Sequence, residues 1–171
     1  ADDRPGHHHL SDGVIAAARR LQPIRVIRLQ VRRRWSGRPL ALLSNAGFPA
    51  SWLLHSAYGL SPSAIPKVDF VVSAGAETLA ANIAAARLAG VPNIFCGSLR
   101  RFDPRSLHLV LTSYASQANR PRHVMVLKPS ALSRGMLAGS PDRLAPGAVP
   151  HTMGLLLGGD PARPPEGVAD V

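Results

Sequence analysis

The spacing of apolar positions changes period twice within one stretch of this chain. Val68 to Ser73 is a continuous apolar run rich in β-branched residues, the pattern of a strand buried on both faces. Ser73-Ala74-Gly75 follows, with small side chains where the chain must turn sharply. From Ala76 to Ala89 the spacing is helical, with Leu79, Ile83, Ala86 and Leu88 near one face. Gly90 ends that helix and Pro92 blocks its continuation. Asn93 to Gly97 is the next strand. Two short strands joined by one helix predict a right-handed βαβ crossover, and with it an α/β class built on a mainly parallel sheet.

The flanking chain extends the pattern. Asp2 to His9 reads as a loop, with Pro5-Gly6 as a turn signal and Ser11 or Asp12 capping a helix over Gly13 to Leu21. Ile24 to Val31 partly alternates apolar and polar residues and predicts a strand near a sheet edge. Ser36 to Gly47 reads as a loop, Pro49 to Tyr58 as a helix and 59–67 as a further loop. Leu107 to Thr112 and His123 to Leu127 predict two more strands, and Ala131 to Leu137 a turn or two of helix. The stretch 139–152, rich in Pro and Gly, reads as a linker. Met153 to Leu157 reads as a last strand, free to add to the first sheet and followed by Gly158-Gly159-Asp160; 161–171 is too polar to bury much surface.

Composition narrows the function classes. The 171 residues suffice for one domain with a real core, and 46% of them are hydrophobic. No apolar run approaches the ~20 residues of a membrane span, and the polar opening carries no secretory pattern. The single cysteine, Cys96, excludes an internal disulfide and suits the cytoplasm. Net charge is +10, with 18 Arg against 2 Lys, and eight arginines fall between Arg19 and Arg38. That bias matches a GC-rich coding composition, yet the charge is physical and favours anionic partners. An anionic membrane surface, met through Arg32, Arg33 and Arg34, is one such partner. Nucleic acid is disfavoured, because no aromatic residues interleave with the arginines.

Ligands of open α/β sheets bind at the carboxyl ends of the strands. That rule selects Ser73, Gly75 and Thr78 after one strand, Ser98, Arg100 and Arg101 after the next, and Lys128 and Ser130 after the last. Small residues admit a ligand to the backbone, hydroxyls bond it, and guanidinium groups suit a diphosphate. Competing with this are helix capping for Ser73 and Thr78 and a solvated basic loop for the arginines. His7-His8-His9 has no carboxylate or cysteine at ligand spacing, so no metal site is expected. There is no glycine fingerprint for a dinucleotide, no P-loop and no nucleophile elbow, and no cofactor is implied. Cys96 reads as core.

Several short motifs, in order, resemble one family. They are Asp3-x-Pro5-Gly6-His7, Ser73-Ala74-Gly75, Asn82-Ile83-Ala84, Pro92-Asn93-Ile94-Phe95, Gly97-Ser98, Leu109-Val110-Leu111-Thr112 and Leu127-Lys128-Pro129-Ser130. The chain resembles the bacterial relatives of the mitochondrial-fission ELM-type proteins, sometimes labelled predicted nucleoside-diphosphate-sugar epimerases, which look like two-domain GT-B glycosyltransferases. The resemblance implies a Rossmann-like three-layer N-terminal domain over 1–138, taking part in sugar transfer from a nucleotide sugar or to a phosphorylated acceptor. It implies His7 as base or acceptor contact, with Gly6 beside it, and Met153 to Asp160 as the opening of the second domain. Ala76-Glu77-Thr78 departs from the basic residues that the family often carries there. The resemblance also implies the alternative of a non-catalytic module that docks on a membrane face or a partner protein.

Overall fold

The computed structural model describes residues 5–130, with side chains from His9 onward; the sequence-predicted linker, second-domain strand and tail lie outside the described residues. The body is a four-stranded, all-parallel sheet flanked by helices, an α/β Rossmann-like arrangement. The strands are β1 (Val71–Ala74), β2 (Asn93–Cys96), β3 (Leu109–Thr112) and β4 (His123–Met125). They lie in the order β1-β2-β3-β4. Register runs Val71 opposite Asn93, Ile94 opposite Leu109, and Val110 opposite His123. Among the described residues the order never reverses, so the sheet is wound one way and lacks the doubly wound switch point.

Four helices complete the described body: α1 (Pro5–Arg19), α2 (Gly37–Asn45), α3 (Ala50–Tyr58) and α4 (Leu79–Ala89). Helix α4 is the crossover between β1 and β2. Its residues 79–86 are all buried, because the sheet lies on one side and α2 and α3 on the other. Alanine at five of those eight positions lets three neighbours approach closely. Leu88, expected on the inward face, is 40% exposed. The core joins Leu40, Leu53 and Leu54 to Leu79 and Ile83, and these to Phe95, Leu107 and Val110 of the sheet layer. In place of a helix between β2 and β3, a loop runs the height of the sheet, held by buried Leu99, Phe102 and Leu107. Asp103 caps a 3-10 turn there, accepting from the Arg105 N–H at 2.8 Å.

Three local expectations are corrected. The first helix begins at Pro5, so Gly6 and His7 lie in its first turn rather than in a loop, and Asp12 is inside the helix. Proline at the first helical position loses no intrahelical hydrogen bond. Ile24 to Val31 forms no strand: Ile24, Val26, Leu29 and Val31 are half-buried and Arg25, Arg28 and Gln30 exposed, but no described strand ladders with them. Alternation set which side is covered; it could not supply a hydrogen-bonding neighbour. The expected loop over 36–47 contains α2, because Gly37 and Pro39 fall in its first turn, where a missing N–H costs little.

A buried amide network pins the crossover helix to the sheet. Asn82 Nδ2 donates to Ser73 Oγ of β1 at 3.0 Å and to the Ile94 carbonyl of β2 at 3.1 Å. Asn93 Nδ2 donates to Asn82 Oδ1 at 2.9 Å and to the Ser106 carbonyl at 3.2 Å, while Asn93 Oδ1 accepts from the His108 N–H at 3.0 Å. Replacing Asn82 with leucine strands these buried partners. Asn82→Leu is expected to destabilise the fold by about 3 kcal/mol, read by denaturant unfolding.

Gly13 is buried in α1 where Pro129 and Ser130 cross it; a Cβ there would collide with the Pro129 and Ser130 backbone. Gly→Ala in a helix interior ordinarily stabilises by about 1 kcal/mol. Here Gly13→Ala is expected to lower stability by about 1–3 kcal/mol instead, seen as a fall in Tm.

Candidate functional site

In a parallel sheet every strand ends at the same rim, and the tips here step in register. The Gly75 N–H donates to the Cys96 carbonyl at 3.5 Å, and the Gly97 N–H to the Leu111 carbonyl at 2.9 Å. Gly75 and Gly97 have φ of 87° and 133°, where a side chain is strained. These two glycines bring the loops after β1 and β2 close to the strand ends.

The loop after β1 is closed from within. Thr78 Oγ1 donates to the Ala74 carbonyl at 2.9 Å and the Gly75 carbonyl at 3.0 Å, and Thr78 is 2% exposed. Tyr58 Oη donates to the Glu77 carbonyl at 2.9 Å, and the Glu77 carboxylate meets the Arg33 guanidinium at 3.4 Å. Ser73 faces α4 and is bonded by Asn82. Ser73 and Thr78 are thus bonded within the fold, and both also line a cavity beside β1.

The tips of β2 and β3 differ. Ser98, after Gly97, accepts from Gln117 Nε2 at 3.2 Å; Gln117 belongs to the 3-10 turn Ala115–Gln117 that follows β3. Gln117 Oε1 is buried and has no hydrogen-bond partner. A buried carbonyl oxygen left unpaired costs about 1–3 kcal/mol, so this oxygen marks the tip as a place where a polar group is under-satisfied. Thr112 Oγ1 accepts from the Tyr114 N–H at 3.2 Å, and Tyr114 is 56% exposed beside it. Sequence reasoning passed over Gln117 as part of a polar loop; nothing local distinguishes it from its polar neighbours.

The remaining sequence-predicted residues lie elsewhere. Arg100 and Arg101 are exposed on the loop that descends from β2 towards the start of β3, and the Arg101 carbonyl accepts from Asn45 Nδ2 at the end of α2. Arg100 adopts a left-handed backbone, φ 54°. Arg100 and Arg101 follow Ser98 by two and three residues. Lys128 and Ser130 are exposed beyond β4. Gly6 and His7 are placed only as part of α1. Among the described residues no three His, Cys, Asp or Glu side chains gather as a metal site, and no helix is long and apolar enough to cross a membrane.

Of the three clustered arginines, two are engaged. Arg33 pairs with Glu77, and the Arg34 guanidinium lies over Gly59 at the carboxyl end of α3, where a cation is favoured. Arg32 is exposed. Comparison of the chain with protein-family models, with curated proteins and with solved structures gives no match in any of the three.

Burial pushes the Tyr58 hydroxyl from an ordinary 10.0 up to about 12, and the Cys96 thiol from 9.0 up to about 11. Both groups are held neutral in the fold and ionise earlier once unfolded. Their stabilising effect is therefore complete below pH 9 and is lost as pH rises through about 11 to 12. The expected result is a fall in Tm across that window, with the part due to Tyr58 absent in Tyr58→Phe. Cys96 should also resist alkylation at neutral pH until the protein unfolds.

Proposed function

We infer that this domain contributes the hydroxyl-binding side of a nucleotide-sugar-dependent glycosyl transfer, in the manner of the N-terminal half of a GT-B protein. The observation that carries the reading is the β2–β3 tip. Ser98 and Gln117 are joined there, the Gln117 carbonyl oxygen is buried without a donor, and Gly97 turns the chain with a positive φ directly after β2. Sugar and acceptor hydroxyls are both donors and acceptors, which suits that pair. The parallel sheet supports the same place, since its strand ends converge on one rim. The family resemblance supplies the reaction class, with His7 as base or acceptor contact. In this reading the strand-tip residues position a hydroxyl and exclude water, and the proton leaves through His7, whose ordinary pKa lies near neutrality.

The test is binding, because the proposed domain is one side of a two-sided site. UDP-N-acetylglucosamine, UDP and glucose 1-phosphate are titrated into the full chain, with Tm and the amide signals of Ser98 and Gln117 as readouts. The expected outcome is a Tm rise with one of the three and shifts confined to the β2–β3 tip. Gln117→Leu, which satisfies no hydroxyl, should weaken that binding about tenfold. Binding that is unchanged in Gln117→Leu removes the tip from the site. No response to any of the three removes the sugar-transfer reading.

A second reading has its own support in the +10 charge: docking on an anionic membrane face through Arg32, Arg33 and Arg34. Because Arg33 and Arg34 are engaged within the fold, attraction would fall mainly to Arg32 and the neighbouring exposed arginines, at about 1 kcal/mol for each well-placed cation. Vesicles containing phosphatidylserine distinguish the two readings, since only this one gives salt-sensitive sedimentation with them.

A further inference from the structure

Strand β1 is paired on one side alone among the described residues. The Val71 N–H donates to the Pro92 carbonyl, and the Gly75 N–H to the Cys96 carbonyl. Main-chain groups alternate in direction along a strand, so those of Val72 point to the opposite edge. No described backbone group bonds them. Beside that edge lies a cavity of about 160 Å³. Ile15 of α1, Val26 and Leu29 of the arginine-rich segment, Val72 itself, and Ala81 and Ala85 of α4 are among its walls. That is the volume of one benzene-sized apolar group. Arg28 also lines it, 60% exposed and paired with Asp12 at 2.8 Å.

We propose that this edge binds one extended peptide strand of a partner, with a branched apolar residue as its anchor and carboxylates at its ends. The peptide adds to β1 as a further strand. Its main chain bonds Val72, and its apolar side chain enters the cavity. In such strand addition the ladder supplies affinity, and the pocket for alternate side chains supplies selectivity. The acidic ends follow from the wall. Arg25, Arg28 and Arg32 are exposed along the segment that supplies Val26 and Leu29 to the wall; of the carboxylates nearby, Asp12 is taken by Arg28 and Asp69 is exposed just before β1. With a net charge of +10, the body repels a basic strand and a second copy of itself alike. This site is separate from the β2–β3 tip and does not depend on the reading given to that tip.

The experiment uses the full chain and a synthetic peptide of about seven residues, with isoleucine at the centre, alternating valine and threonine around it and glutamate at both ends. Binding is followed by fluorescence anisotropy, and amide exchange is followed residue by residue. The expected result is saturable binding, with exchange of the Val72 amide slowed about tenfold and the amides of β4 unchanged. A central aspartate, or lysine at both ends, should weaken binding about tenfold or more. Ile15→Phe narrows the cavity and should weaken binding similarly; Ala85→Val, on the α4 wall, serves the same purpose if Ile15→Phe does not fold. Unchanged affinity in the folded wall variant overturns the proposal. So does protection that appears at β4 but not at Val72, or failure to bind at about 1 mM. If benzene occupies the cavity and the peptide does not, the site takes a small apolar molecule and the proposed strand is wrong.

Discussion

The described fold depends on one buried pair of amides. Asn82 lies in the crossover helix and Asn93 opens β2, and each is almost fully covered. Between them they satisfy Ser73 of β1, the Ile94 carbonyl of β2, the Ser106 carbonyl and the His108 amide at the start of β3. Hydrophobic packing alone would hold an alanine-rich helix on a sheet loosely, since alanine offers few interlocking surfaces. A polar network admits few arrangements, because a shifted helix would leave buried donors unpaired. The register between α4 and three strands is therefore set by hydrogen bonds, and the apolar core fills in around them.

This has a consequence at the rim. With β1, β2 and β3 held in register, their tips are stepped by fixed backbone bonds, and Gly75 and Gly97 turn the chain at once. The two tips then take different roles. The β1 loop is tied down by Thr78, Tyr58 and Arg33, and the β2–β3 tip keeps a buried acceptor unpaired on Gln117. Rigid elements below and an unsatisfied polar group above are the usual conditions for a ligand contact. The arginines tell a related story. Arg33, Arg34 and Arg87 are partly absorbed into the structure as helix-end and loop ties: Arg87 donates to the Ser44 carbonyl and to Ser106 Oγ. A count of positive charges therefore overstates the cation surface open to a partner.

Much of the fold could be read directly. The apolar runs at 93–97, 107–112 and 123–127 each contain an observed strand, the run at 68–73 overlaps β1 but stops one residue short of its end, and helix 76–89 contains α4. Strand ends were overcalled by one to three residues, because apolar residues such as Val68 continue past the last ladder bond. Two of the misreadings have the same physical root. Pro5-Gly6 signals a turn and 36–47 reads as a loop, yet Pro5, Gly6, Gly37 and Pro39 all fall in first turns, where proline and glycine cost little. Of the candidate site residues, Gly75 and Ser98 lie at neighbouring strand tips, whereas Ser73 and Thr78 are bonded within the fold and line the cavity beside β1.

Local pattern determined the class of this protein, since periods of two and of about 3.6 residues report which faces must leave water. It also marked the carboxyl ends of the strands as the place for chemistry, because connectivity in a parallel sheet forces those ends together. Three things were decided only in three dimensions: that Ile24 to Val31 has no described ladder partner, that Ser73 serves Asn82, and that Gln117 reaches Ser98. Each depends on which group lies across a gap from which other. Hydrogen bonds between residues far apart in the chain leave no trace in the order of their side chains.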